Sequence, residues 1–164
     1  MEQAAQAPEW AAALEATWAG VLMRQSAVAY PVANLVHLLG LTLLVGPILL
    51  FDLRVLGVGR RLVGLEGLSQ FVTPFAVAGA ILAIASGPLL FLADAKALST
   101  SPTMIAKLAL VALGLLNALA FRRAYGDRLV GWDSAPAARG RAQAAASIVI
   151  WFTVAGLGRM IAYL

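Results

Sequence analysis

Long apolar runs separated by short polar or basic segments dominate the hydrophobic pattern of the chain. Four of these runs have the length of about 20 residues that an α-helix needs to cross the hydrocarbon core of a bilayer. They do not alternate between apolar and polar residues, which argues against the strands of a membrane β-barrel. The pattern therefore predicts four transmembrane helices, at about residues 27–51, 71–93, 104–121 and 145–164. Ser101 and Pro102 just before the third run predict a helix start, with Ser101 as the cap and Pro102 at the first helical position.

The segment that precedes the first run has an amphipathic pattern instead. Apolar residues recur at helical spacing over residues 8–24 and include Trp10 and Trp18, whereas Glu9 and Glu15 fall elsewhere around the helix. Tryptophan favours the headgroup region of a bilayer, and an amphipathic helix of this kind lies in the plane of the interface. The pattern therefore predicts one interfacial helix before the membrane spans.

Composition supports a membrane protein. Hydrophobic residues make up 62% of the 164 residues and charged residues 12%, against about 45–50% and about 25% in soluble domains. A soluble domain this small cannot bury so much apolar surface, so an ordinary soluble enzyme, a disordered protein and a nucleic-acid-binding protein are excluded. We expect an all-α fold, with an N-terminal tail and interfacial helix over residues 1–25 and an integral membrane four-helix bundle over residues 26–164.

Basic residues between the runs predict the orientation of the bundle. Two linkers on one side hold eight of them, which are Arg54, Arg60, Arg61, Arg122, Arg123, Arg128, Arg139 and Arg141. The other side holds four, which are Arg24, Lys96, Lys107 and Arg159. Because Lys and Arg are enriched in cytoplasmic loops, the first side is expected to be cytoplasmic. Both termini would then face outward, into the periplasm if the membrane is a bacterial inner membrane.

Polar residues within the apolar runs are the candidate functional residues, because such groups are costly in hydrocarbon and usually face the interior of a bundle. Asn34 and His37 share one face of the first run, and His37 is close to its middle. Lys107 and Asn117 share a face of the third run, and Arg159 lies on the small-residue face of the fourth. We expect these faces to point inward together with several small residues, namely Gly79, Ser86, Gly114 and Ala155.

Three charged residues are expected at the outward end of the bundle, and these are Asp94, Lys107 and Arg159. In one interpretation they form a polar vestibule with His37 at its floor. In the other, their side chains merely extend to the lipid headgroups.

Asp52 and Arg54 end the first run at the expected cytoplasmic boundary. A carboxylate near the C-terminus of a helix is unfavourable because of the helix dipole. We therefore expect Asp52 to pair with Arg122 or Arg123 at the end of the third run. A short interfacial piece is expected around residues 129–132 of the linker that follows.

His37 is the only histidine of the chain, and three roles are open to it. It is a buried residue bonded to a carbonyl or to Asn117, a proton relay or ion site, or an axial ligand of haem iron. In the haem interpretation the cofactor is haem b, Lys107 and Arg159 face its propionates, and Asn34 completes the candidate cofactor-binding set. The second axial ligand would be a His37 of a second copy or a methionine, of which the candidates are Met23, Met104 and Met160.

The chain has no cysteine, and its runs hold no acidic pair, so we expect no catalytic triad, glycosidase pair or carboxylate-bridged metal site. Three classes of function remain. The protein is a membrane redox or cofactor-binding subunit with haem b or quinone near His37, a small transporter or channel, or a structural or accessory subunit. Expected partners are the lipid bilayer and other membrane subunits or further copies of the chain.

Three features of the sequence resemble a known family. They are the string HLLGLTLLVGPILLFDLRVLG, Lys107 with Asn117 on the third run, and the closing GRMIAY. The family consists of small four-span bacterial integral membrane proteins and is uncharacterised, so the resemblance implies the fold and adds no function. In topology and in His37 the chain also distantly resembles copper-resistance membrane proteins and four-helix b-type cytochromes.

Overall fold

The computed structural model describes residues 7–126, 129, 131–132, 136–161 and 163. These residues form helices and no strands. In chain order the helices are α1 (Glu9–Ala16), α2 (Trp18–Gln25), α3 (Ala29–Leu56), α4 (Leu65–Ala93), α5 (Ala95–Thr100), α6 (Pro102–Tyr125) and α7 (Ala138–Ile161).

Four of the helices, α3, α4, α6 and α7, are long and apolar enough to cross a membrane. The predicted all-α bundle with four spans is thereby confirmed. Each helix extends past its predicted run at one end or at both. For example, α3 continues to Leu56 and α4 already begins at Leu65, because a helix continues through the polar residues that leave the hydrocarbon. The start of α6 was predicted closely, since Ser101 caps it by accepting the N–H of Met104 at 3.3 Å.

The predicted helical segment before the spans is present, and Thr17 divides it into α1 and α2. Thr17 has an extended backbone, with φ −62° and ψ 155°. Its hydroxyl donates to the carbonyl of Leu14 at 2.6 Å and accepts the N–H of Gly20 at 3.2 Å. These bonds replace helix bonds at the break, as threonine side chains do at helix ends. Trp18 is 79% exposed, which agrees with a tryptophan that faces the headgroup region.

Glu15 fastens the α1–α2 hairpin to the end of α4 and to α5. One carboxylate oxygen accepts the backbone N–H of Lys96 at 2.7 Å. The other lies 3.6 Å from the Lys96 ammonium and 3.8 Å from the Arg24 guanidinium. Trp10 also stacks on Phe91, with 6.4 Å between ring centroids. The hairpin is therefore docked on the end of the bundle that the charge pattern predicts to be outward.

The long helices follow the spatial order α4, α3, α7, α6. Helix α3 packs most extensively against α4 and also packs against α7, and α6 packs against α7. Over the described ranges, no Cα atom of α4 comes within 8 Å of one in α6 or α7. The side of the bundle between α4 and α6 is therefore less tightly closed than the other three.

Helices α3 and α4 meet backbone to backbone at Gly40 and Gly79, and we call this contact the α3–α4 seam. A Cβ atom on Gly40 would lie 2.7 Å from the backbone nitrogen of Ala83, and one on Gly79 would collide with the backbone of Leu43 and Leu44. Membrane helices that approach so closely need small residues at the contact, because packing rather than the hydrophobic effect holds them together. The seam accordingly admits no side chain at either glycine.

Side chains fill the contact of α3 with α7, the α3–α7 seam. Leu44 of α3 packs with Trp151 and Val154 of α7. The Trp151 ring also covers Gly114 of α6, where an added Cβ would lie 3.1 Å from the ring. Trp151 is 2% exposed, and it is the largest side chain of this buried cluster.

Aromatic rings close the other end of the bundle, which the charge pattern predicts to be cytoplasmic. Phe121 packs edge-on against Phe51 and Trp132, with 5.4 Å and 5.8 Å between the ring centroids. The rings of Tyr125 and Trp132 have their centroids 4.8 Å apart. Leu129 is buried in the same cluster. Residues 129 and 132 thus pack on the helix ends, whereas an interfacial piece was expected there. Residues 127, 128, 130 and 133–135 lie outside the described part of the chain.

Candidate functional site

His37 is held against α4 by a hydrogen bond. Its Nδ1 lies 3.0 Å from the hydroxyl oxygen of Ser86. The Ser86 hydroxyl donates its own hydrogen to the carbonyl of Leu82 at 2.6 Å, so it accepts from the histidine. This assigns the ring proton to Nδ1 and leaves Nε2 of the neutral imidazole as a hydrogen-bond acceptor.

Two further positions of α4 lie beside the ring. A Cβ atom on Gly87 would be in ordinary contact with it, 3.4 Å from Cε1 of His37. The carbonyl of Ala83, one helical turn earlier on α4, is a second acceptor for the ring N–H. Ala83, Ser86 and Gly87, which share one face of α4, thus surround the imidazole.

Lys107 supplies the positive charge near this histidine. It is half-buried on α6, and its ammonium interacts electrostatically with the His37 ring. A Cβ atom on Gly158 of α7 would lie 3.4 Å from the ammonium nitrogen. The side chain therefore extends across the interior side of α6, in the outward half of the bundle. His37 lies on α3 at its contact with α4, and Lys107 lies on α6 at the opposite end of the row of helices.

Asn117 and Arg159, which were also predicted to bind the cofactor, make their described contacts with residues other than His37 and Lys107. Asn117, one of the two alternative partners considered for a buried His37, donates from Nδ2 to the carbonyl of Gln143 on α7 at 3.2 Å. Arg159 is exposed, donates to the hydroxyl of Tyr163 and lies 4.7 Å from the centre of that ring. Asn34 is half-buried one turn before His37.

The predicted vestibule of three charges is not assembled. Asp94 is exposed at the junction of α4 and α5. Arg159 is engaged with Tyr163, whereas Lys107 alone of the three extends toward His37. The three charged residues at this end therefore do not form one cluster, and among them Lys107 interacts electrostatically with His37.

Burial of the predicted inward faces varies with position along them. Gly79, Ser86 and Gly114 are buried as predicted, and Asn34, His37 and Asn117 are half-buried. Ala155 is exposed, so its prediction was wrong. The inward face of α7 passes through Trp151 and Val154, and the next residue is turned away by about 100° of helix.

The prediction that Asp52 pairs with Arg122 or Arg123 was wrong. Both arginines are exposed, and Asp52 is buried on α3, where the hydroxyl of Ser147 on α7 hydrogen-bonds its carboxyl group. Arg54, which is also buried, donates from Nε to the carbonyl of Val63 at 2.7 Å. Ser86 was recognised in the sequence only as a small inward residue, and neither its bond to His37 nor that of Ser147 to Asp52 was predicted.

The three methionines considered as a second axial ligand lie on different helices. Met23 is buried in α2, Met104 is half-buried on α6, and Met160 is exposed on α7. Over the described ranges no group of three or more His, Asp or Glu side chains is placed to hold a metal ion. What the arrangement offers is one imidazole acceptor on α3 and one ammonium donor on α6.

These features define the class of the molecule, which is a small multi-pass membrane protein with polar groups buried between four helices. The chain belongs to DUF6644, a family of unknown function whose sequence profile matches residues 9–164. The resemblance to an uncharacterised family is thereby confirmed. No curated protein and no solved structure matches the chain.

Proposed function

We propose that the protein is a membrane redox subunit that binds a quinone-class molecule at His37 and Lys107. The observation that carries the proposal is the hydrogen bond between His37 Nδ1 and Ser86, because it fixes the ring with Nε2 as an acceptor. A quinol hydroxyl can donate to that nitrogen, and a quinone carbonyl can accept from the Lys107 ammonium. The chain itself then supplies binding and orientation, and a partner subunit would supply or accept the electrons.

The packing of the helices supports a ligand that arrives from the bilayer. The side between α4 and α6 is the loosely closed one, and the exposed side chains along those helices are apolar, among them Ile84 and Leu108. A lipid-soluble molecule can reach the pair from that side without crossing a polar surface. Quinone is favoured over haem b, because Arg159, which was expected at the haem propionates, is turned to Tyr163.

Titration of the purified protein in nanodiscs with a short-chain ubiquinone analogue tests the proposal. We expect one binding site per chain. His37→Leu and Lys107→Met should each weaken binding about tenfold, the effect of losing one hydrogen bond of about 1.4 kcal/mol. Arg159→Leu is the matched control, since it removes a cation from the same end of the bundle and should leave the affinity unchanged.

Two results would redirect the proposal. A Soret band in the protein purified from cells with adequate haem supply would favour haem b as the ligand of His37. A colourless protein that binds no quinone analogue would contradict both forms of the redox proposal. Flux measurements in liposomes would then separate a transporter from an accessory subunit.

We also propose the orientation that the charge pattern predicts. The α1–α2 hairpin and the His37 site would then lie toward the outer face of the cytoplasmic membrane, and the aromatic cluster toward the cytoplasm. A topology reporter fused after residue 164 should be active outside the cytoplasm, and one inserted within residues 55–68 should be active inside. The reverse activities would contradict the orientation.

A further inference from the structure

Asp52 lies in the half of the bundle opposite to His37, and its carboxyl group is isolated from solvent. The residue is 6% exposed, and its Oδ2 atom is buried with no hydrogen-bond partner among the residues that the structure describes. The carboxyl group is bonded to the Ser147 hydroxyl. Beside it is a cavity of about 10 Å³ between α3 and α7, whose walls include Ile48, Ile148 and Trp151.

The charged groups on the neighbouring elements are directed elsewhere. On α3 itself, Arg54 donates to the carbonyl of Val63, and His37 is 15 residues away, which is about 22 Å along a helix. The charged residues at the near ends of α4, α6 and α7 are all exposed, and these are Glu66, Arg122, Arg123, Arg139 and Arg141. Among the described residues, an ionised carboxylate at Asp52 would therefore be buried without a compensating charge, and groups in such surroundings take up a proton instead.

We propose that Asp52 and Ser147 form a proton-binding site in the α3–α7 seam, with the carboxyl group protonated at neutral pH. The ligand is a proton, and the site is separate from the one proposed at His37. The proposal stands on the burial of Oδ2, the bond to Ser147 and the exposure of the surrounding basic residues.

Two groups allow the site to release its proton as well as hold it. A serine hydroxyl can accept a hydrogen bond from a protonated carboxyl group and donate one to an ionised carboxylate, so Ser147 serves both states. Trp151 follows Ser147 by one helical turn, and its indole N–H is also buried without a partner over the described residues. Deprotonation would create an acceptor in the same seam, and a small rotation of the indole would supply the donor.

The direct test is infrared spectroscopy of the full chain in nanodiscs, as a difference between the wild type and Asp52→Asn. We expect a protonated carboxyl C=O band at neutral pH that the variant lacks, and the band should disappear as the pH is raised. Asp94→Asn is the matched control, since that carboxyl group is exposed and its substitution should leave the band intact. Absence of the band from the wild type at neutral pH would overturn the proposal.

A second measurement uses dicyclohexylcarbodiimide, an apolar reagent that adds to protonated carboxyl groups. Peptide mapping by mass spectrometry should locate the adduct at Asp52 at neutral pH, with labelling that falls up to tenfold per pH unit above the midpoint. Ser147→Ala and Trp151→Phe each remove a donor for the ionised form, so labelling should persist to higher pH in both. Labelling of Asp52 that does not depend on pH, or midpoints that both variants leave unchanged, would contradict the site as described.

Discussion

The two seams of α3 hold their helices together by opposite means. At the α3–α4 seam, Gly40 and Gly79 bring two backbones into contact, and there is no room for a Cβ atom. At the α3–α7 seam, Leu44 and Trp151 fill the space between backbones that lie further apart. Each seam also contains one serine that binds an ionisable residue of α3.

The contrast shows which changes each seam can tolerate. A contact made by backbones is sensitive to any added atom, whereas a contact made by a large ring is sensitive to its removal. When the ring is removed in a bilayer, the protein loses packing contacts. It does not lose the free energy of transfer from water, because lipid tails are as apolar as the ring. Substitutions at the first seam should therefore cost more than truncations at the second.

The largest effect is expected for Gly79→Ala. The new methyl group would collide with the backbone of α3, and backbone cannot yield as a side chain can, so the cost should reach or exceed the roughly 3 kcal/mol at the upper end for overpacking. Unfolding in a detergent series measures it. Gly46→Ala is the matched control on α3, because its methyl group would meet nothing within 4 Å. Equal stability of the two variants would contradict the seam.

Trp151→Ala should have the next largest effect. Truncating a buried aromatic residue costs about 3–5 kcal/mol in soluble cores, and we expect about 2 kcal/mol here because the transfer from water is missing. The same unfolding series measures the loss. Trp18→Ala provides the control, since that ring is exposed, and a loss at Trp151 no larger than at Trp18 would show that the ring does not hold the second seam.

Ser86→Ala should lower the free energy of unfolding by about 1 kcal/mol, because it removes the hydroxyl that accepts a hydrogen bond from His37. The partly buried N–H of His37 then keeps only the carbonyl of Ala83 as an acceptor. Thr153→Ala removes a hydroxyl that only donates within its own helix, to Val149, and should change stability less. Thermal unfolding of the two variants distinguishes a bond between helices from one within a helix. A larger loss for Thr153→Ala would argue against the role of Ser86.

Asp52→Asn should have the smallest effect, below about 1 kcal/mol, because an amide can replace a neutral carboxyl group of the same shape with its hydrogen bond to Ser147 retained. If the carboxylate were ionised and paired, removing its charge would leave a buried partner and cost about 3–5 kcal/mol. The melting temperature of the variant separates the two cases. A loss of that larger size would contradict a neutral Asp52.

The positions of the spans and the start of α6 were predicted from the sequence, because length, hydropathy and capping are local properties of the chain. The partners of the polar residues were not. His37 bonds to Ser86 and Asp52 to Ser147 because α3 lies between α4 and α7, and no local pattern states which helices become neighbours. Thr17 shows the same limit on a smaller scale, since helical spacing continues through a residue whose hydroxyl breaks the helix.

The order α4, α3, α7, α6 also has a consequence for synthesis of the protein in the cell. Helices α3 and α4 emerge from the ribosome in succession and can form their seam as a hairpin soon after insertion. Helix α6 emerges next, and its extensive partner among the described residues is α7, which is made after it. Until α7 inserts between α3 and α6, the third span must remain in the membrane largely by its own hydrophobicity, so the four-helix bundle is completed only by the fourth span.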